Sequence, residues 1–211
     1  MKKYIAELIG TFGLVFCGTG AVVMNDASGG SVTHVGVAIT FGLIVMAMIF
    51  TFGPVSGAHI NPAVSIAFSL TDRFDKKELA PYIIAQLVGA FMASFVLKFL
   101  FPLHETLGST LPAGSQMQSF ILEFILTYFL MLVIIFVSQN EKTEQFTAFA
   151  VGATVLLEAM FAGPICGASM NPARSIAPAI VSGNLDALWL YIVATIGGAI
   201  LAVLTWKLMS R

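Results

Sequence analysis

Charged side chains are scarce in this chain, since Asp, Glu, Lys and Arg make up only 10% of its 211 residues. Soluble domains carry roughly 25% charged residues, so this composition excludes an ordinary water-soluble globule. Cysteine is scarcer still: Cys17 and Cys166 are the only two, which excludes a disulfide framework. The formal net charge of −1 provides no excess of basic residues, so we expect no nucleic-acid partner.

Clusters of residues that carry chemistry are also missing from the sequence. No set of His, Cys or carboxylate residues has the spacing of metal ligands, and no nucleophile can be paired with a base. We therefore expect no metal, no other cofactor and no enzymatic activity. Hydrophobic residues are abundant instead, at 58% of the chain, with a mean hydropathy of +0.94.

Long apolar stretches account for most of the chain. A membrane span needs about 20 apolar residues, and the sequence offers six, at approximately 4–24, 35–53, 80–102, 117–138, 146–163 and 187–209. The first stretch is long enough to span and contains Glu7, so we interpret it as a retained span and not as a cleaved signal. Most Lys and Arg residues fall on one side when the spans alternate, which predicts cytoplasmic termini. We therefore expect a multi-pass protein of the cell (inner or plasma) membrane, in contact with the lipid bilayer.

An internal repeat organises the sequence. The segment GPVSGAHINPAVS at 53–65 recurs as GPICGASMNPARS at 163–175, an offset of 110 residues. Glu7 in the first span is matched by Glu123 in the fourth, near the same offset. Each unit thus holds three spans and one Asn-Pro-Ala segment, and an odd number of spans makes the second unit enter the membrane upside down.

This repeat predicts both the fold class and the domain organisation. We expect an all-α membrane protein with six transmembrane helices, two re-entrant half-helices and an inverted three-plus-three repeat. One membrane channel domain should cover 1–211, with repeats at about 1–103 and 117–211.

The two Asn-Pro-Ala segments have the features of half-helix starts. Asn is a preferred N-cap, and Pro suits the first helical position. The apolar run that follows each motif covers only about half a bilayer, so the two helices should enter from opposite sides and meet with their Asn-Pro-Ala starts near the midplane. The predicted pore motifs are Asn61, Pro62, Ala63, Asn171, Pro172 and Ala173.

The stretches before the motifs, Ser56–Ile60 and Cys166–Met170, cannot be helical throughout. Irregular backbone at membrane depth is tolerated where it lines a water-filled cavity, so their carbonyl groups should face a pore. The predicted pore-carbonyl residues are Gly57, Ala58, His59, Cys166, Gly167 and Ala168. A hydrogen-bonded loop residue is the favoured interpretation of His59, in preference to a metal ligand.

Ionisable residues within the spans suggest distinct roles. Glu7 and Glu123 are interpreted as buried acceptors that brace the half-helix loops, in preference to transport groups. Arg174 has no counterpart in the first repeat, where Val64 stands. We interpret Arg174 as a donor at the outer constriction that also repels cations, in preference to an arginine that snorkels to the surface. Glu158 is either a packed carboxyl group or a pH-sensitive pore group.

The strings SGAHINPAVS and GASMNPARS, together with six spans and acidic residues in the first and fourth, resemble the aquaporin or major intrinsic protein family. The resemblance covers essentially the whole chain and implies a homotetramer with one pore per subunit. It also implies an aromatic/arginine filter at the outer mouth, formed here by Phe41, Ala159, Ala168 and Arg174. The short tails suggest a prokaryotic type, and the string AGPICGASMNPARS is similar to the nodulin-26-like branch.

The predicted function is a passive channel for water and small uncharged solutes that excludes ions and protons. Because Ala159 stands where water-selective members usually carry a histidine, the filter should be wider than theirs. The similarity to the nodulin-26-like branch implies passage of glycerol, urea or undissociated metalloid acids as well as water. A strictly water-selective aquaporin is the alternative within the family. An inverted-repeat secondary transporter and a structural membrane protein are the alternatives from other classes.

Overall fold

A computed structural model describes residues 1–210, which form helices and connecting loops without any strand. Six of the helices are long and apolar enough to cross a membrane, which confirms the predicted all-α membrane class. In chain order the helices are α1 (Lys2–Ala27), α2 (Thr33–Ser56), α3 (Pro62–Ser69), α4 (Leu79–Leu100), α5 (Gln116–Gln139), α6 (Thr147–Cys166), α7 (Pro172–Ser182) and α8 (Leu188–Met209). Helix α1 is continuous but contains a π-helical turn at Val15–Thr19.

The two short helices are the predicted half-helices. Helix α3 has 8 residues and α7 has 11, so they are about 12 and 16 Å long at 1.5 Å per residue, against a hydrocarbon core of about 30 Å. Each begins with an extended Asn cap followed by Pro at the first helical position. Neither helix can cross the membrane alone.

The long helices pack in a pattern that repeats between the two halves of the chain. Helix α1 packs against α4, and its counterpart α5 packs against α8. Helices α2 and α6 pack against each other across the two halves, at Gly42 and Gly152. A Cβ atom added to either glycine would lie 2.7 Å from the carbonyl oxygen of the other, so glycine is required for this close approach.

Both predicted loop stretches began one residue too early. Cys166 was expected in the loop before α7, but it is the last residue of α6, and its thiol is fully buried. The helix ends at Gly167, which adopts a left-handed φ of 81°, a conformation that glycine takes without a steric cost. Ser56 likewise ends α2, and Gly57 follows it with a φ of 84°.

Candidate functional site

A central cavity runs between the long helices past the tips of both half-helices. Phe41 and Arg174 line one end, and Ser138 and Thr147 line the other. Its volume is about 100 Å³, several times the roughly 10–15 Å³ that a single buried water requires. The end near Ser138 lies on the side of the molecule that carries both chain termini, here named the terminal side. The opposite side is named the far side.

A second cavity of about 360 Å³ opens on the far side. It is lined by the ends of α1 and α6, the start of α2 and the loop that joins α4 to α5. Phe41 and Arg174 line this far-side cavity as well as the central one. These two side chains therefore form the boundary between the two cavities.

Asn61 and Asn171 meet at the middle of the central cavity. The side-chain oxygen of each Asn accepts a hydrogen bond from the start of its own half-helix, from Ala63 N at 2.9 Å and from Ala173 N at 3.0 Å. The amide nitrogens donate across the repeat boundary, Asn61 Nδ2 to Met170 O at 2.7 Å and Asn171 Nδ2 to Ile60 O at 2.9 Å. An Asn amide carries two N–H donors, so each retains one N–H for a molecule in the cavity.

Two buried glutamates hold the loops that precede the half-helices. Glu7 accepts from the backbone N–H groups of His59 and Ile60 at 2.9 and 2.7 Å. Glu123 accepts from Ser169 and Met170 at 2.7 and 2.9 Å. Both carboxyl groups are fully buried, and neither lines the central cavity.

The loop backbone is strained in the same way in both repeats. Ala58 and Ile60 have φ angles of 47° and 43°, and Ala168 and Met170 have φ angles of 40° and 53°. A left-handed conformation costs a non-glycine residue roughly 1–2 kcal/mol. Because Glu7 and Glu123 each accept two hydrogen bonds from these loops, they offset this cost.

Arg174 is the only cationic side chain that lines either cavity within residues 1–210. It is 3% exposed, and its Nη1 donates to the carbonyl oxygen of Gly108 at 2.8 Å. The guanidinium carbon lies 5.1 Å from the centroid of the Phe41 ring, within the range of a cation–π interaction. The guanidinium Nε is buried and has no protein hydrogen-bond partner.

The other predicted site residues divide into those that line the central cavity, those that line the far-side cavity and those that line neither. Gly57, Ala58, His59 and Ala168 line the central cavity, whereas Ala159 and Gly167 line the far-side cavity. The Pro and Ala residues of both motifs are buried in the half-helices, and Cys166 lines neither cavity. His59 donates or accepts through its ring Nδ1 with Ser65 Oγ at 3.1 Å, in line with a hydrogen-bonded loop residue.

Glu158 lines neither cavity, although it is adjacent to Ala159 in α6. Its Oε2 atom is buried without a protein hydrogen-bond partner. This position favours a packed carboxyl group over a pore group.

The apolar walls of the central cavity were not predicted. They are formed by Leu14, Val45, Ile49, Leu130, Ile134, Val151 and Val155. The repeat itself contained the signal, because Phe41 and Val45 correspond to Val151 and Val155 at the motif offset of 110 residues. Extending the motif alignment into α2 and α6 would have identified these positions.

Comparison with known proteins agrees with this geometry. The family model for "Major intrinsic protein" matches residues 1–206. The chain is 45% identical to aquaporin NIP1-1 of Zea mays over 211 residues, covering 99% of this chain and 75% of that protein. It is 42% identical to nodulin-26 of Glycine max over 202 residues, covering 95% and 74% respectively.

A solved structure matches the fold along its whole length. The aquaglyceroporin from Plasmodium falciparum superposes with a TM-score of 0.88 at 28% identity, covering 98% of this chain and 95% of that one. A pore of two capped half-helices inside six spanning helices defines a multi-pass membrane channel. The chain belongs to the major intrinsic protein family, as its sequence motifs predicted.

Proposed function

We propose that this channel passively conducts water together with small uncharged solutes of the size of glycerol or urea. The observation that carries the proposal is the pair of spare amide N–H groups on Asn61 and Asn171, placed midway along a mainly apolar cavity. A molecule with hydroxyl or carbonyl oxygens accepts from both amides as it passes. Carbonyl groups of the loops at Ala58 and Ala168 supply acceptors on either side.

A solute range wider than water alone follows from the side chains at the constriction. Ala159 and Ala168 each contribute a single methyl group beside Phe41 and Arg174. No histidine imidazole narrows the passage at Ala159. The likeness to a solved aquaglyceroporin supports the same solute range.

Exclusion of ions and protons is proposed to come from fixed positive charge. The N-termini of α3 and α7 converge on the two Asn residues, and each carries roughly half a positive charge. Arg174 adds a full charge at the far-side constriction. This is the barrier already described for aquaporin-type pores.

The orientation and assembly are also proposals. We place the terminal side in the cytoplasm and the far side outside the cell, in the cell (inner or plasma) membrane. The surplus of Lys and Arg near the chain termini supports this orientation. A homotetramer with one pore per subunit fits the family, and the lipid-facing helices expose apolar side chains such as Phe50 and Phe161.

The proposal is tested by light scattering from proteoliposomes after osmotic steps with sucrose, glycerol and urea. We expect faster water flow than in empty liposomes, followed by reswelling as glycerol or urea enters. Water flow without reswelling would favour the strictly water-selective alternative. Water flow equal to that of empty liposomes with all three solutes would contradict the channel proposal and favour a structural membrane protein. Uptake that depends on an ion gradient would favour the transporter.

A further inference from the structure

The position of Arg174 depends on a loop that contains no recognisable motif. The loop between α4 and α5 (101–115) folds over the far side, and the carbonyl oxygen of its Gly108 accepts from Arg174 Nη1. Within residues 1–210 this is the one hydrogen bond that the guanidinium donates to protein. The position of the Gly108 carbonyl therefore fixes where the guanidinium lies.

That carbonyl is part of an unusual turn. Leu107 and Gly108 are consecutive left-handed residues, with φ angles of 49° and 69°. Leu107 is fully buried, and the left-handed conformation costs a non-glycine residue roughly 1–2 kcal/mol. A turn of this kind persists only where neighbouring groups hold it.

The turn is closed by a backbone hydrogen bond from Ser109 N to Thr106 O at 3.0 Å, and His104 supplies a side chain that also holds it. The backbone N–H of Leu107 donates to His104 Nδ1 at 3.0 Å. The imidazole is 11% exposed, and its Nε2 lies 3.5 Å from Asp26 Oδ2 at the end of α1. Because Nδ1 accepts, the neutral ring carries its proton on Nε2, and the Asp26 carboxylate favours that tautomer.

We propose that His104 is a positioning residue for the selectivity filter. It fixes the Leu107–Gly108 turn, and the turn aims the Gly108 carbonyl at Arg174. Asp26 orients the ring from the opposite side. This inference rests on the proposed function, since it concerns how the pore discriminates among solutes.

The consequence for transport follows from the contacts of Arg174. Without the Gly108 carbonyl in place, the guanidinium loses its anchor on the wall and leans into the constriction beside Phe41. A narrower constriction hinders glycerol more than water. Loss of the His104 acceptor therefore lowers the ratio of glycerol permeability to water permeability.

The test compares three substitutions of His104 in purified, reconstituted channel. His104→Ala removes the ring, His104→Phe keeps an aromatic ring without an acceptor, and His104→Asn places an oxygen where Nδ1 stands. We expect the glycerol-to-water ratio to fall about threefold in the Ala and Phe variants. The Asn variant should keep the wild-type ratio, because Asn Oδ1 and His Nδ1 are both bonded to Cγ.

A second measurement reports directly on whether the Leu107–Gly108 turn is formed. Hydrogen exchange of the backbone N–H of Leu107 should accelerate at least about tenfold in the Ala and Phe variants and stay slow in the Asn variant. An unchanged ratio in a folded Phe variant, or a lowered ratio in the Asn variant, would overturn the proposal. A merely structural role would reduce glycerol and water permeability together and leave their ratio fixed.

Failure of the proposed function is visible in the same experiment. If the wild-type channel conducts water but neither glycerol nor urea, the proposed solute range is wrong. The positioning role is then read from water permeability per channel, which should fall in the Phe variant and recover in the Asn variant. Equal water permeability in all variants would overturn the positioning role in that case.

Discussion

At the far-side mouth the pore is bounded by Phe41 and Arg174, whereas the repeat-related positions at the terminal-side mouth hold Val151 and Val64. Valine offers neither charge nor a hydrogen-bond donor at these two positions. The two ends of the pore were built from one repeated unit but no longer present the same chemistry. Discrimination among solutes should therefore be concentrated at the far side.

The centre of the pore has kept the symmetry that the mouths have lost. Glu7 and Glu123 each bind two loop N–H groups, and Asn61 and Asn171 each cap one half-helix and donate to the opposite loop. Residues that support the backbone come in pairs, whereas the residues proposed to select the solute are single. Breaking a member of a pair should therefore damage the whole channel, whereas changing a single residue should alter selectivity.

The largest effect, a loss of stability, is expected when the hydrogen bonds of Glu123 to the loop are removed. Glu123→Leu leaves the buried N–H groups of Ser169 and Met170 without an acceptor, at about 1–3 kcal/mol each. We expect a large drop in the thermal unfolding temperature of the detergent-solubilised protein. Glu123→Gln keeps one carbonyl acceptor and should lie between Leu and wild type. A Leu variant as stable as the Gln variant would contradict the bracing role.

Asn61 and Asn171 should respond equally to the same substitution. Asn61→Ala and Asn171→Ala each remove an N-cap, at about 1 kcal/mol, and one amide donor from the cavity. We expect similar losses of stability, and water permeabilities per channel that agree within about twofold. Replacement by Ser at either site restores a cap but not the amide or its hydrogen bond to the opposite loop, so stability should recover in part while permeability stays low. Strongly unequal Ala variants would show that the centre is not symmetric.

A smaller and more selective effect is expected at Gly18, in the π-helical turn of α1. A Cβ atom at this position would collide with the ring of Phe41, so Gly18→Ala should push the ring toward Arg174. The glycerol-to-water ratio should fall about threefold. Gly53→Ala is the control, because its added Cβ would meet only Ile49 at an ordinary 3.9 Å. Equal glycerol-to-water ratios in the two variants would show that Gly18 does not influence selectivity.

The sequence predicted the features that arise from repetition and hydropathy. Six spans follow from apolar runs, and the half-helices follow from Asn caps before short apolar segments. The pairing of Glu7 with Glu123 and the singularity of Arg174 are both visible when the repeats are aligned. Local patterns of this kind need no knowledge of distant contacts.

Features that depend on contacts between distant segments were missed. The hydrogen bond between Gly108 and Arg174 joins residues in separate parts of the chain, and the loop around His104 has no repeat counterpart to mark it. The prediction for Cys166 was wrong because α6 continues through this residue and ends at the glycine that follows it, Gly167. The buried face of a helix near its end is set by neighbouring helices and not by its own sequence.

The most direct test of the account measures the glycerol-to-water permeability ratio for Arg174→Val and for Val64→Ala in matched proteoliposomes. These substitutions change repeat-related positions at opposite mouths. We predict a ratio raised about tenfold in Arg174→Val, equivalent to about 1.4 kcal/mol, and a ratio near wild type in Val64→Ala. An unchanged ratio in Arg174→Val, or an equal rise in Val64→Ala, would contradict a selectivity filter confined to the far side.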